Sequence, residues 1–181
     1  MESYAHILDY LPTGRASEHG FRREPVGLAV GENELKLLEL VARPGQVLSV
    51  GSRIPLLPMD GVAPPIDHVR RRLAYGELTT SARAQLPEAL ERVVAADPAR
   101  YLRLFNEAPA VSRRFNLLEL LPGVGKRTML AIVEERRRGP FQSFAELESR
   151  LRLSRPDRWV AARIAQEMEG APDKYRLFVP P

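Results

Sequence analysis

A glycine-containing turn between two apolar segments is the feature that most constrains how this chain can fold. Residues 121–127 read Leu-Pro-Gly-Val-Gly-Lys-Arg, and apolar-periodic segments at 115–120 and 129–133 lie on either side. This arrangement predicts a helix, a tight turn and a second helix, because glycine permits unusual backbone angles and leaves the peptide groups uncovered. The second helix would start at the turn, so its free N–H groups and positive dipole end would face solvent. Such a helix start can bind a phosphate group.

Cations next to this turn extend the candidate site. Lys126 and Arg127 add mobile positive charge at the turn, and further arginines precede the first helix and end the second. A nucleoside-triphosphate loop is excluded, because Leu120 stands where its first glycine would be and Arg127 replaces its Ser or Thr. The alternative role for the arginines at 136–138 is to complement the helix dipole. The candidate nucleic-acid-binding residues are Gly123, Val124, Gly125, Lys126, Arg127, Arg113, Arg114, Arg136 and Arg137.

The same turn resembles the helix-hairpin-helix module, whose hairpins hold nucleic-acid backbones without reading bases. Downstream, Gly139 and Pro140 predict the end of the second helix. Ser143 and Glu146 then form a capping box that opens a short helix, and a further helix ends at Gly170. Tandem modules have a similar connector before a second hairpin, which in this chain has lost its glycines. The resemblance implies a domain at 113–181 with one intact hairpin, one degenerate hairpin and a C-terminal strand.

Charge is distributed unevenly along the chain. Residues 1–66 carry a net charge of −2, residues 67–110 carry +1 and residues 111–181 carry +5, within a total of +4. The basic excess therefore accompanies the hairpin, as expected for a polyanionic partner. Of the 27 basic residues 24 are arginines, whose planar guanidinium suits forked phosphate contacts.

The first third of the chain has the pattern of a small β-structure. Residues 1–64 contain short apolar and β-branched segments at 4–11, 25–31, 36–41 and 47–54, separated by turn signals. They predict an OB-like β-barrel, with an SH3-like barrel as the alternative. Residues 65–112 predict a helical connector with starts at Asp67, Pro87 and Asp97. The fold class is therefore α+β, with an N-terminal OB-like barrel followed by an all-α helix-hairpin-helix domain.

Eight stretches spread along the chain share motifs with one known family: residues 7–12, 14–15, 22–25, 38–40, 43–45, 67–72, 118–126 and 173–179. Through them most of the chain resembles the archaeal family of uncharacterised, predicted RNA-binding proteins that share the domain of unknown function 655. That resemblance implies a barrel fused to a helix-hairpin-helix domain, and it carries no assigned catalytic residue.

Several functional classes are excluded or unsupported. The chain has no cysteine, which excludes disulfides, thiolate metal sites and cysteine nucleophiles. His6, His19 and His68 have no metal-ligand spacing, and no Gly-x-Ser-x-Gly elbow occurs. We therefore expect no enzymatic activity, catalytic residue, metal or cofactor. Neither a secretion signal nor a membrane-spanning run is visible, so the expected location is the cytoplasm.

These observations predict a non-enzymatic nucleic-acid-binding protein that grips the phosphate backbone through the Gly-Val-Gly-Lys turn. RNA is favoured over DNA because of the family resemblance. A ribonucleoprotein or ribosome-related complex is among the expected partners, and a membrane is not. The alternatives are a protein-interaction scaffold with a structural hairpin domain, and a DNA-binding accessory in repair or processing.

Overall fold

The computed structural model describes residues 1–17, 20–21, 24–170 and 174–180. These separate into two compact units, Met1–Leu90 with Glu167–Pro181 and Glu91–Gln166. The domain bounds 1–64, 65–112 and 113–181 stay predictions. The second unit has 15 basic and 9 acidic residues, a net charge of +6, and the first unit has a net charge of −2. The basic excess thus belongs to the unit that contains the turn at 121–127. His19, Arg22, Arg23 and Asp173 lie outside the described residues.

The first unit is built on a curled antiparallel sheet that forms half a barrel. Its five strands lie in the order β6-β1-β4-β5-β7, so among the described residues β6 and β7 are the two edges and the predicted closed barrel is not formed. The core on this sheet includes Ile7, Leu40 and Leu48. The strands of the unit are β1 (Tyr4–Leu11), β2 (Ala16–Ser17), β3 (Gly20–Phe21), β4 (Val26–Gly31), β5 (Leu37–Ala42), β6 (Arg53–Pro55) and β7 (Ile66–Arg72), with β2 and β3 forming a separate pair.

The segment after residue 65 is a strand, and the helix predicted to start at Asp67 is wrong. Strand β7 pairs antiparallel with β5, and a register shift falls between Glu39 and Leu40. The shift lets Arg70 and Arg71 reach the same carboxylate, at 2.9 and 3.4 Å from Glu39. Glu39 is only 3% exposed, and a buried carboxylate requires such partners. Pairing with a neighbouring strand therefore outweighs local helix propensity here.

The turn from β4 to β5 is closed by a buried carboxylate from the start of the chain. Glu2 accepts hydrogen bonds from the backbone N–H groups of Asn33 at 2.6 Å, Glu34 at 2.9 Å and Lys36 at 3.1 Å. Gly31 lies directly against this carboxylate, and a Cβ at Gly31 would overlap it. The turn between β4 and β5 thus requires glycine at 31 because a Cβ would have no space, although the backbone of Gly31 is that of an ordinary strand.

We expect Gly31→Ala to lower the free energy of unfolding by about 1–3 kcal/mol, because the added methyl group displaces the Glu2 carboxylate from its three donors. Urea denaturation followed by circular dichroism measures this change. Gly76→Ala is the matched control, since a Cβ at Gly76 meets no atom within 4 Å. Equal stabilities of the two variants would contradict the role of Glu2.

Helices dominate the chain after β7. Helix α1 begins seven residues before Pro87, which lies inside it, and Thr79 caps it by accepting from the Ala82 N–H at 3.0 Å. The predicted start at Asp97 is confirmed, since its side chain accepts from the Arg100 N–H. The elements that follow β7 are α1 (Thr80–Ala96), α2 (Pro98–Glu107), β8 (Ala110–Ser112), β9 (Phe115–Asn116), α3 (Lys126–Glu135), α4 (Phe144–Leu151) and α5 (Pro156–Glu169).

The C-terminal segment wraps a carboxylate instead of forming the predicted strand. The Glu167 carboxylate is 1% exposed and accepts from the N–H groups of Leu177 at 2.7 Å, Phe178 at 3.0 Å and Val179 at 2.9 Å. Successive N–H groups that converge on one anion form a nest, whereas a strand would direct them alternately to its two sides. The strand predicted at 175–179 is therefore wrong.

Candidate nucleic-acid-binding site

The turn at 121–127 is preceded by a short 3₁₀ helix, Leu117–Leu120, where the sequence predicted a first α-helix. Asn116 caps it by accepting from the Leu118 N–H at 2.9 Å, and Glu119 accepts from the Asn116 N–H at 2.9 Å. This capping box starts the 3₁₀ helix four residues before the turn, which leaves no length for an α-helix. The second helix, α3, begins at Lys126 as the glycine turn predicted.

The two glycines of the turn have different reasons to be glycine. Gly123 has a φ of +91°, and a Cβ there would lie 3.2 Å from the indole nitrogen of Trp159. Both the backbone and the packing therefore require glycine at this position. Gly125 has an extended backbone, with φ −91° and ψ −179°, and a Cβ there would meet no atom within 4 Å. Among the described residues nothing requires glycine at 125, and the space above the start of α3 is open.

The start of α3 lacks the side-chain cap that the neighbouring helices have. Asp97 caps α2, and Ser143 caps α4 by accepting from the Glu146 N–H at 3.0 Å. At α3 the N-cap residue is Gly125, and no side chain in the described part of the chain caps it. The first N–H groups of this helix are thus the unsatisfied donors that every helix start presents.

Charge at the same point opposes the helix dipole. Lys126 and Arg127 occupy the first two positions of α3, and its first turn has no acidic residue. Cations at a helix start are unfavourable, because the dipole is positive there. Both side chains are exposed, and the Arg127 side chain has no hydrogen bond or ion pair among the described residues. These two cations destabilise the free protein, and they become favourable when an anion binds at the start of α3.

Lys126 is held by groups on the other side of the turn. Its Nζ donates to the Arg114 carbonyl oxygen and lies 3.1 Å from Glu119 Oε1. The hydrogen bond from the Asn116 N–H lowers the pKa of Glu119 below 4.5; burial opposes this shift, and Lys126 adds to it. Glu119 is therefore ionised at neutral pH, and its electrostatic contribution to stability is lost only as the pH falls below about 4.5. It acts as an internal counter-charge for Lys126.

Two of the predicted arginines lie close to Lys126 in the structure. Arg113 and Arg114 form the exposed turn between β8 and β9, and β9 leads directly into the 3₁₀ helix. The Lys126 contact to the Arg114 carbonyl ties this turn to the start of α3. The structure therefore brings together the backbone around residue 114, the carboxylate of Glu119 and the candidate residues 123–127.

The predicted arginines at the far end of α3 do not join this group. Arg136 Nη1 donates to the Phe105 carbonyl at 3.2 Å, and its Nη2 donates to the Ala108 carbonyl at 3.0 Å. This is a cap for the last carbonyls of α2, so the guanidinium of Arg136 has an internal structural role. Arg137 is 71% exposed beside Glu134, at 3.0 Å. Because α3 has ten residues, its rise places Arg137 about 15 Å from the start of the helix.

The turn between α4 and α5 is closed by ion pairs. Arg152 has a φ of 53° and Arg155 a φ of 51°. Both values lie in the left-handed region that glycine usually supplies. Arg155 Nη2 lies 2.7 Å from Asp157 and 3.2 Å from Glu91, and Arg158 lies 3.1 Å from Glu91. The charges of Arg155 and Arg158 are matched within the unit, so this turn is a weaker candidate site than the one at 121–127.

Sequence reasoning missed three residues that support the site. Glu119 could have been recognised, because Asn116 with an acidic residue three positions later is a capping-box pattern. Arg163 is 3% exposed, and its Nη1 approaches the Leu120 carbonyl at 3.5 Å. Trp159 lies against Gly123. The last two come from α5, and no local pattern relates a residue there to a turn some forty positions earlier.

Metal-binding clusters and membrane-spanning helices are both absent from the part of the chain that the structure describes. No group of three or more His, Cys, Asp or Glu side chains is placed there to hold a metal ion. None of its helices combines the length and the apolar character that crossing a membrane requires.

Comparisons with known proteins agree over almost the whole length. The model of the family described as "Protein of unknown function (DUF655)" matches residues 1–180. The uncharacterised protein MJ0038 of Methanocaldococcus jannaschii is 37% identical over 179 residues, which cover 98% of this chain and 80% of that protein. The crystal structure of Af1531 from Archaeoglobus fulgidus, of the same family, has a TM-score of 0.85 at 36% identity and covers 99% of this chain and 100% of its own. The chain therefore belongs to the family of proteins of unknown function DUF655.

Proposed function

We propose that this protein binds nucleic acid without catalysis, and that the start of α3 holds one phosphate of the backbone. The observation that carries the proposal is the uncapped, open N-terminus of α3 at Gly125, with two cations where the dipole disfavours them. A phosphate there would accept from the free N–H groups and pair with Lys126 and Arg127.

The surroundings of the turn support a backbone contact more than the reading of bases. The second unit carries the basic excess of +6, as a phosphate ligand requires. Arg113 and Arg114 are exposed next to Lys126 and would extend the contact to a neighbouring phosphate. We interpret the segment from Leu117 to Glu135 as a helix-hairpin-helix whose first helix is reduced to a 3₁₀ turn, and the curled sheet as an OB-like half-barrel. With the family resemblance, this favours RNA over DNA.

A second candidate is a scaffold that docks onto protein. Two loops of the first unit expose large apolar side chains, which is typical of protein-binding surfaces. The exposed residues of these loops are Val47 at 69%, Val50 at 51%, Leu57 at 41%, Met59 at 42% and Val62 at 69%. Under this alternative the turn at 121–127 would be structural only.

Fluorescence anisotropy distinguishes the two candidates. The full chain is titrated into labelled single-stranded RNA, duplex RNA and duplex DNA of equal length, and Lys126→Ala is titrated in parallel. We expect the wild-type protein to bind RNA with little dependence on base sequence and Lys126→Ala to bind more weakly. Equal affinities of the two proteins, with unchanged circular dichroism, would show that the turn at 121–127 is structural only. Absence of binding to all three nucleic acids would favour the scaffold.

We expect Glu119→Gln to strengthen nucleic-acid binding about twofold to fivefold, because it removes the counter-charge that competes for Lys126. The glutamine oxygen can still accept from the Asn116 N–H, so the cap of the 3₁₀ helix is retained. The same anisotropy titration measures the change. Glu107→Gln is the control, since Glu107 is paired with Arg103 and not with Lys126. Weaker binding by Glu119→Gln than by the control would contradict the competition.

A further inference from the structure

A cleft in the first unit is lined by residues that the proposed function does not use. It has a volume of about 340 Å³ and opens to solvent. Its apolar lining includes Leu35, Leu37 and Leu73, all three at most 8% exposed, together with Met168 and Val179. A concave apolar wall with a few charged groups is the usual composition of a small-molecule site.

Positive charge predominates among the polar groups of this cleft. Lys36, Arg72 and Arg176 line it, and the carboxylates that line it are those of Glu34 and Glu167. The Glu167 carboxylate is already held by the backbone N–H groups of the C-terminal segment. The lining therefore has three cations and two carboxylates, a net charge of +1. Glu34 pairs with Lys36 and with the N-terminal ammonium of Met1, and it lies 3.7 Å from Arg72 Nη2. This balance favours an anionic ligand.

The two arginines are placed to receive a phosphate. The Arg72 side chain is 66% exposed, so its guanidinium can turn towards a ligand. Arg176 Nη1 donates to the Glu167 carbonyl at 2.9 Å, which fixes the position of that guanidinium beside the cleft. Arginine binds phosphate through paired N–H groups, and an anchored arginine loses less conformational freedom on binding.

The size of the cleft and its aromatic residue indicate what else the ligand carries. Its volume of about 340 Å³ is near the lower end of the range for ligand pockets, which begins at about 300 Å³. The cleft therefore fits a ligand of one nucleotide better than a dinucleotide. Tyr75 lines the cleft with the leucines, so a flat base would meet aromatic and apolar surface there.

We propose that this cleft binds a single nucleotide, with its phosphate near Arg72 and Arg176 and its base against Tyr75 and the leucines. The nucleotide can be a free mononucleotide or one residue of a single-stranded RNA. This proposal does not rest on the site at α3, which belongs to the other unit.

Titration of the isotope-labelled full chain, followed by amide NMR shifts, tests the cleft. The probes are uridine monophosphate, uridine, inorganic phosphate and a uridine tetranucleotide. We expect the mononucleotide to shift amides at 34–37, 72–75 and 176–179, and to bind more tightly than uridine or phosphate alone. Tighter binding of the tetranucleotide would assign the site to RNA, and equal or weaker binding would assign it to free nucleotides. Absence of shifts in these segments, or equal binding of inorganic phosphate and mononucleotide, would overturn the proposal.

Two variants test the cleft by different routes. Arg72→Glu is expected to weaken mononucleotide binding about tenfold by charge. Ala74→Trp is expected to weaken it by filling the cleft with no change of charge. Arg138→Glu, at an arginine that is 80% exposed in the other unit, should leave this binding unchanged. Gly125→Asp should also leave it unchanged, which separates this proposal from the function proposed for α3. Wild-type affinity in both cleft variants would overturn the proposal.

Discussion

Replacing Gly125 by Asp is expected to stabilise the protein and, at the same time, to weaken its binding to nucleic acid. An Asp side chain at the N-cap accepts from the first N–H groups of α3 and complements the dipole, which adds about 0.5–1 kcal/mol to the free energy of unfolding. The extended backbone at 125 and the open space around it allow the substitution without strain. The same carboxylate accepts from the N–H groups that would otherwise donate to a phosphate, and its negative charge repels that phosphate. The affinity for nucleic acid should therefore fall at least about tenfold.

The opposite signs of the two effects make this variant informative. A lower affinity cannot be attributed to unfolding when the melting temperature rises. Gly125→Ala is the matched control, because its methyl group leaves the N–H groups free, and its affinity should stay within about threefold of the wild type. Anisotropy titrations give the affinities, and thermal denaturation gives the stabilities. Unchanged binding by Gly125→Asp would show that the start of α3 is not the phosphate site.

Binding is also expected to depend steeply on salt, because the contacts are to phosphates. Three to five contacts correspond to a slope of about −2 to −4 for the logarithm of affinity against the logarithm of salt. Raising salt fourfold, from about 50 to about 200 mM, would then reduce the affinity about 16-fold to 250-fold. Anisotropy titrations at a series of salt concentrations measure this slope.

A charge-removing variant tests whether Lys126 contributes to that slope. Lys126→Gln should reduce the magnitude of the slope by about 1, because one phosphate contact is lost. Arg103→Gln removes a charge that is 73% exposed and paired with Glu107, and its slope should equal that of the wild type. A flat salt response of the wild-type protein would contradict backbone binding and favour a protein partner.

The features that sequence predicted well are those specified by neighbouring residues. Asp97 and Ser143 mark helix starts through their own side chains, and the glycine turn marks the start of α3 at Lys126. Strands β1, β4 and β5 follow apolar runs between turn signals. Family membership was likewise predictable, because its motifs are spread along the chain.

The features that sequence could not predict depend on partners far along the chain. β7 is a strand because it pairs with β5 and because its arginines form ion pairs with Glu39. Both partners lie about thirty residues earlier in the chain, so the residues around β7 do not indicate them. The C-terminal segment is irregular because three of its consecutive N–H groups donate to the Glu167 carboxylate. The sequence predicted Arg136 to be a phosphate contact, whereas its guanidinium donates to the carbonyls of Phe105 and Ala108. In each case a buried or unsatisfied polar group determines the local structure.

The central claim, that the uncapped start of α3 binds a backbone phosphate, is tested most directly by amide NMR of the full chain with a short single-stranded RNA. The wild-type protein is predicted to show its largest shifts at the amides of Gly125, Lys126, Arg127 and Thr128. The indole signal of Trp159, the single tryptophan, should move with them because this ring lies against Gly123. Shifts confined to the exposed loops near Val47 and Val62, with the amides of 125–128 unmoved, would contradict the account.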